Sequence, residues 1–481
     1  MLTVCSDKNC LSEKKYILDI LLSDFLGLNY RFVQDDSPGF RITAEGSSRE
    51  LLLDAAFFQK AENNWLKKES LPGTSVKYLE IPAELFSILH QNTLPVFYAG
   101  DTNATALLSG DEEHLRINFD LFGSSFFMLS RYEEAVTGAR DKHGRFDAKE
   151  SVAWKEKLLE RPVVNEYLEF LWYSLSRLWP DLQRKKRRFD FQFSHDVDKP
   201  YAYYYQKFFP YCRRILGQLK NRQIGFGAFM KELNGILKVK TRGVSADPYN
   251  TFDWILSLYQ EESLAGTFYF ITEPSDPFID CDYDIRDPQM RRLLKRLSQQ
   301  GQRIGLHPSY FSFNKQERIM HELEKLKTIC AEEQISQERW PNRQHYLRFE
   351  LPGFWSQLEK AGFSSDSSLG YADHVGFRSG CCYPFTVYDL LSRKQLRLVE
   401  APLIVMEWSV MGASYMNIQD ENGVYAVMEK MAKICARYEG CYVLLWHNHL
   451  LAEQKHRDVF KRLLAFCVQL QKAGTDTAQS S

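Results

Sequence analysis

The chain has 481 residues, is 44% hydrophobic and 26% charged, and holds 33 Phe, 25 Tyr and 9 Trp, which is ample apolar material for two cores. Its net charge of -1 gives no overall pull toward nucleic acid or anionic lipid, and no nucleic-acid partner is expected. Ten cysteines without a CxxC pair, no basic-then-apolar leader pattern and no apolar run of bilayer length read as a reduced, cytoplasmic protein without a transmembrane segment.

In chain order, residues 1–183 read as an N-terminal α+β domain. Residues 15–26 have a helical pattern, 31–33 and 40–43 look like short strands, and 164–178 form a second helical run. Trp179-Pro180 breaks that run, and 184–188 is a short charged linker. From 189 onward the chain alternates. Strand-like runs occur at 189–193, 266–271, 303–306, 346–349, 396–405 and 441–446. Helical runs lie between and after them: Met290, Leu293, Leu294 and Leu297, then Val427, Met431, Ile434 and Cys435, then Val459, Phe460, Leu463, Leu464 and Cys467. Such alternation over 184–472 predicts a parallel α/β sheet, barrel or open.

Residues 199–242 interrupt the alternation with ten Lys/Arg and one acid, Glu232. Phe226, Phe229, Met230, Leu233, Ile236 and Leu237 fit one helical face, predicting a basic helical insertion over 200–245 packed on the body. The sharper alternative is a peripheral contact with a membrane, or with an anionic lipid-linked substrate, through 200–242. Residues 473–481 read as a disordered tail.

The chemistry-bearing residues sit at the ends of these runs. Phe189, Phe191 and Phe193 alternate with polar residues, and Ser194-His-Asp-Val-Asp198 follows. Carboxylates at i and i+2 repel unless water, a cation or a proton separates them. His307 follows a second strand run, His447-Asn-His449 a third, and His345 stands beside a fourth. In β/α barrels such positions converge on one rim. Asp196, Asp198, His307, His345 and His447 are enough to hold zinc or another divalent transition ion and to hydrolyse an amide or ester. No GxxxxGK[ST], GxGxxG or GxSxG motif offers a nucleotide or serine-hydrolase alternative.

Ser194-His-Asp-Val-Asp198, Ile304-Gly-Leu-His-Pro-Ser-Tyr310 and Val443-Leu-Leu-Trp-His-Asn-His449 resemble the ordered motifs of NodB-homology polysaccharide deacetylases, carbohydrate esterase family four. The resemblance implies that family's deformed (β/α) barrel over roughly 189–470. Residues 343–349, 366–373 and 376–380 resemble a subgroup whose N-terminal domain has no assigned function, and 119–134 and 164–167 resemble that domain.

The family then implies roles. Asp196 would be the general base, Asp198 the metal aspartate, His307 the first metal histidine and His447 the general acid. Arg343 or His345 would fall near the motif that supports the base. The family usually has a second metal histidine four residues after the first, and here that position is Phe311. His345, His449 or Asp196 would complete the metal site, with His345 the expected ligand. Arg343, Arg378, Glu407 and His449 are candidate substrate contacts, the alternative for Arg378 and Glu407 being that they bind each other.

The resemblance implies a metal-dependent hydrolase that removes an N-acetyl group from a carbohydrate, in surface-polysaccharide or lipid-linked glycan assembly. The alternatives are a non-catalytic glycan-binding descendant, which Phe311 favours, and a hydrolase of another non-peptide carbon–nitrogen bond.

Overall fold

The computed structural model describes residues 1–479 except Thr74 and Thr102, with the backbone alone for 475–479. Strands β1 (Leu2–Ser6), β2 (Tyr30–Gln34), β3 (Phe40–Ala44), β4 (Glu50–Leu53), β7 (Leu108–Gly110) and β8 (His114–Ile117) form a mixed sheet in the order β2-β1-β3-β4-β8-β7, while β5 (Lys77–Glu80) and β6 (Thr93–Val96) pair separately. Alternation builds this sheet: Phe40 and Ile42 of β3, and Leu115 and Ile117 of β8, point inward between more exposed neighbours. The predicted helix at 15–26 is longer than its pattern, running as Leu11–Leu18 and continuing as a π-helical segment, Asp19–Phe25. The second expected helix is Val163–Leu178.

The second sheet holds β9 (Asp190–Val197), β10 (Thr267–Phe270), β11 (Arg303–Leu306), β12 (Pro341–Asn342), β13 (Ser365–Asp366), β14 (Phe385–Asp389), β15 (Lys394–Glu400), β16 (Val405–Met406) and β17 (Cys441–Leu445). Their order is β14-β15-β13-β12-β11-β10-β9-β17-β16. All neighbours are parallel except β14 and β15. Among the described residues the edge strands β14 and β16 do not pair, so the fold is mixed α/β with a curled, open sheet rather than a closed ring. The three helical runs predicted between and after the strands are the helices Pro288–Gln299, Glu421–Arg437 and Gln454–Gln479.

Three expected strands differ, the first being the run at 396–405, which breaks after Glu400 into β15 and the two-residue β16 at the other edge of the sheet. The run at 189–193 continues to Val197, so Asp196 lies on a strand rather than after it. The run at 346–349 is not a strand: Tyr346 and Leu347 have φ of 60° and 51°, a left-handed backbone that a ladder cannot use. The strand there is the two-residue β12, just upstream.

Buried side chains from residues 1–183 and from the second sheet form one contiguous core. Tyr16 packs on Tyr388 with ring centroids 4.9 Å apart, and Glu134 pairs with Arg378 at 2.6 Å. The C-terminal helix includes 473–479, within the segment read as a disordered tail; Ser480 and Ser481 lie outside the described residues. No helix among the described residues is long and apolar enough to cross a membrane.

Candidate active site

Side-chain alternation along β9 sorts its polar residues between two faces. His195 points outward into the helices, bonded to the Trp446 carbonyl and the Tyr259 hydroxyl at 2.7 Å each. Burial pushes its pKa down to about 4. Asp196 points to the opposite face, and Asp198 lies just past the strand end.

His307 follows β11. Its Nδ1–H donates to the Arg343 carbonyl, which leaves the Nε2 lone pair facing the carboxylates. That nitrogen lies 3.4 Å from Asp198 Oδ1 and 3.5 Å from Asp196 Oδ2. Burial lowers the His307 pKa, partly opposed by the two aspartates.

His345 follows β12, three strands from β9. On a flat sheet that separation would be roughly 14 Å. Yet His345 Nε2 is 3.7 Å from Asp198 Oδ2, and the sheet's curl closes the difference. The left-handed pair Tyr346–Leu347 turns the chain immediately after it. His345 Nδ1–H donates to Asp280 at 2.9 Å. Burial opposes the charge on His345, but Asp198 and Asp280 prevail and bring its pKa to about 9. Burial likewise disfavours the Asp198 carboxylate, and His345, His307 and His447 overcome it, holding the group well below the usual range.

One ligand atom from each of Asp198, His307 and His345 lies within 4.8 Å of the others. This donor set fits a divalent transition ion: one carboxylate and two imidazoles, each imidazole with its far nitrogen already donating to an oxygen. Asp198 Oδ1 is buried without a hydrogen-bond partner, as expected of an atom reserved for a ligand. Phe311 lies outside the set with its side chain largely exposed, and its backbone N–H donates to Ser275 Oγ.

Arg343 and His447 flank the set. Arg343 is fully buried; Nη2 donates to Ser194 and Ser367 hydroxyls at 3.2 and 3.0 Å, and Nη1 lies 3.9 Å from Asp196 Oδ1. Its Nε and Nη1 have no hydrogen-bond partner, so the guanidinium stands beside Asp196 without bonding to it. His447 Nε2 is 3.6 Å from Asp198 Oδ2, and its Nδ1–H donates to Glu407. Glu407 also accepts the His447 backbone N–H at 3.0 Å and has no exposed surface. Burial works against the imidazolium, but Glu407 and Asp198 raise the His447 pKa to about 10. Glu407 therefore orients His447, a role different from the substrate contact expected of it.

Two other candidates lie apart from the cluster. Arg378 is buried, with its guanidinium bonded to Glu134 and to the Gly370 carbonyl. His449 stands edge-on to His447 at 5.7 Å between centroids, its Nδ1 is buried without a partner, and burial lowers its pKa to about 4. It is not in the ligand set.

Sequence reasoning missed Asp280. Its Oδ1 accepts from His345 and from the Tyr310 N–H at 2.7 Å, and its Oδ2 accepts from Ser275 and Asp276. The segment Ser275-Asp-Pro-Phe-Ile-Asp-Cys-Asp-Tyr-Asp284 has several acids and no periodicity, so nothing singled out this one. The rim also takes residues from the first half of the chain. His143 Nδ1 lies 3.0 Å from the Tyr310 hydroxyl, and Arg145 donates to the Tyr346 carbonyl at 3.0 Å. A cavity of 560 Å3 opens there, lined by Arg145, Leu347, Asp373, Trp408 and Tyr415 among others.

A family of unknown function, DUF7033, matches residues 2–180. No curated protein matches the chain. Solved structures with partial likeness include a candidate polysaccharide deacetylase from Mycobacterium smegmatis, at 15% identity and TM-score 0.36, covering 62% of this chain and 93% of that one. A second is Puue allantoinase, at 11% identity and TM-score 0.37, covering 60% and 85%. A third is a candidate polysaccharide deacetylase from Pseudomonas aeruginosa PAO1, at 11% identity and TM-score 0.36, covering 58% and 85%.

Proposed function

We propose that this protein is a metal-dependent hydrolase that removes an N-acetyl group from a carbohydrate. The observation that carries the reading is the meeting of Asp198, His307 and His345, three residues from separate strand ends, with Asp196 and His447 at its margins. A divalent ion held there would supply Lewis acidity and stabilise developing negative charge. Asp196 Oδ1, buried and without a hydrogen-bond partner, is free to take a proton from water. The Arg343 guanidinium, 3.9 Å away, places a positive charge beside that carboxylate. Glu407 fixes the His447 tautomer and stabilises its imidazolium, so Nε2 can protonate the departing amine. The motif resemblance supplies the substrate class, and the aromatic walls Trp408 and Tyr415 suit a sugar ring. Phe311 does not weaken the reading, because His345 provides the second imidazole from another strand.

The test is acetate release by metal-loaded protein from N-acetylated sugars and lipid-linked or nucleotide-linked glycans. Asp196→Asn should nearly abolish release with metal content unchanged, since Asp198, His307 and His345 remain. Release at the parent rate in Asp196→Asn, or none from any substrate by the parent, would refute the proposal.

A further inference from the structure

Immediately after Asp198 the chain leaves the rim and returns near Tyr249. The excursion is a two-helix hairpin, Phe208–Lys220 and Phe226–Arg242. Its own small core contains Tyr203, Tyr211, Ile215, Ile236 and Val239. The apolar face expected of the second helix splits in two. Phe229, Leu233 and Ile236 pack inward, whereas Phe226, Met230 and Leu237 turn to solvent at i, i+4 and i+11, one outer stripe. The first helix repeats the arrangement with Phe209, Arg213, Leu216 and Lys220, all exposed on one face. Phe209 and Phe226 are 82% and 68% exposed.

Burial within the protein does not explain these side chains, and their surroundings are strongly charged. Residues 199–242 hold ten Lys/Arg against Glu232 alone, in a chain whose net charge is -1. Glu232 is turned inward, accepting from the Tyr203 and Tyr211 hydroxyls. Exposed aromatic and aliphatic side chains flanked by cations are the pattern of a helix that lies in a lipid headgroup layer. A cationic surface alone would suit any polyanion, but the outer apolar stripe favours a bilayer.

The hairpin is rooted at the catalytic rim. Asp247 accepts from the N–H groups of Ala202, Tyr203 and Tyr204 at 2.7, 2.8 and 3.1 Å. Asn448, next to His447, donates to the Lys199 and Tyr249 carbonyls at 3.0 and 3.2 Å. We infer that this hairpin docks the protein on anionic lipid bilayers and holds the catalytic rim close to the membrane surface. Resting on the proposed hydrolase reading, the inference narrows its substrate to a glycan carried on a membrane lipid. Docking itself requires no catalysis, so the two can fail separately.

The test is flotation of the full-length protein with vesicles of equimolar phosphatidylglycerol and phosphatidylcholine, and with phosphatidylcholine alone. Binding is expected to the anionic vesicles only and to weaken at high salt. Lys231→Glu with Lys238→Glu should reduce partitioning at least about tenfold, since each cation contributes roughly fivefold. Phe226→Ser with Met230→Ser should reduce it by a similar factor while the circular dichroism spectrum stays unchanged. No flotation of the parent, or parent-like flotation of both double variants, overturns the inference. So does a dimer in solution that Phe226→Ser with Met230→Ser splits, because a second copy would then cover the stripe. Retention on DNA without flotation also overturns it.

Discussion

Replacing Asp280 by Asn tests whether the carboxylate behind His345 governs metal binding. The Asp280 Oδ2 side receives three hydrogen bonds, from Ser275 N–H and Oγ–H at 2.6 Å each and from Asp276 N–H at 3.0 Å. The Oδ1 side receives two, from His345 Nδ1 at 2.9 Å and Tyr310 N–H at 2.7 Å. An asparagine has one oxygen, and three donors hold it on the Ser275 side. Its amide NH2 then faces His345 Nδ1, which must become an acceptor. The imidazole proton moves to Nε2, the atom that faces Asp198 and completes the ligand set. Loss of such a supporting partner typically costs 10–100-fold in metal affinity, about 1.4–2.8 kcal/mol. The unpartnered Tyr310 N–H adds about 1–3 kcal/mol of instability. Zinc titration against a chromophoric chelator, with melting curves in EDTA, separates the two effects. A zinc Kd within twofold of the parent in folded Asp280→Asn would refute the tautomer argument.

Three further outcomes are expected. Glu407→Gln should lower acetate release about 10²-fold at unchanged metal content, because His447 loses the anion that stabilises its protonated form; parent-like turnover would remove Glu407 from this role. Arg378→Met should destabilise the fold by about 3–5 kcal/mol in denaturant unfolding, since it strips a partner from buried Glu134. Burial raises the Glu134 pKa, but Arg378 and Arg131 outweigh it and hold the group at about 2. A depressed carboxylate stabilises above its unfolded pKa, so this contribution is present at neutral pH and is lost as pH falls from about 4.5 toward 2; Arg378→Met should flatten that acid limb. Finally, residues 185–481 expressed alone should be poorly soluble, because truncation bares the shared core around Tyr388 and Arg378; a soluble, cooperatively melting fragment would count against this.

Much of the second sheet was legible because parallel strands buried on both faces leave short apolar runs, as at β11 and β17. His307 and His447 could be placed because each directly follows such a run, and Asp198 because it ends the motif after the alternating Phe189–Phe193 strand. Strands β12, β13 and β16 have two residues each, too few to show any period. His345 can therefore be named from the sequence but not located, and the apolar run beside it has a strand-like composition although it forms a turn. The role of Glu407, named from the sequence as a candidate substrate contact, and Asp280 altogether, were hidden for another reason. Their roles depend on hydrogen bonds to imidazole nitrogens 40 and 65 positions away, which no local pattern encodes. The Glu134 partner of Arg378 lies 244 positions upstream, out of reach of any local pattern, and Arg378 also lines the cavity at the rim.

The neck formed by Asp247 and Asn448 makes the hairpin a separable appendage. Two side chains gather the outgoing strand of chain against the returning one, so the entropy of closing the excursion is met at one short neck. The helices beyond the neck can then change length or sequence without disturbing the register of β9 against β10. A short Gly-rich link across the neck should leave the sheet and its histidines in place, and a foreign helical hairpin grafted there could direct the same active site to a different surface.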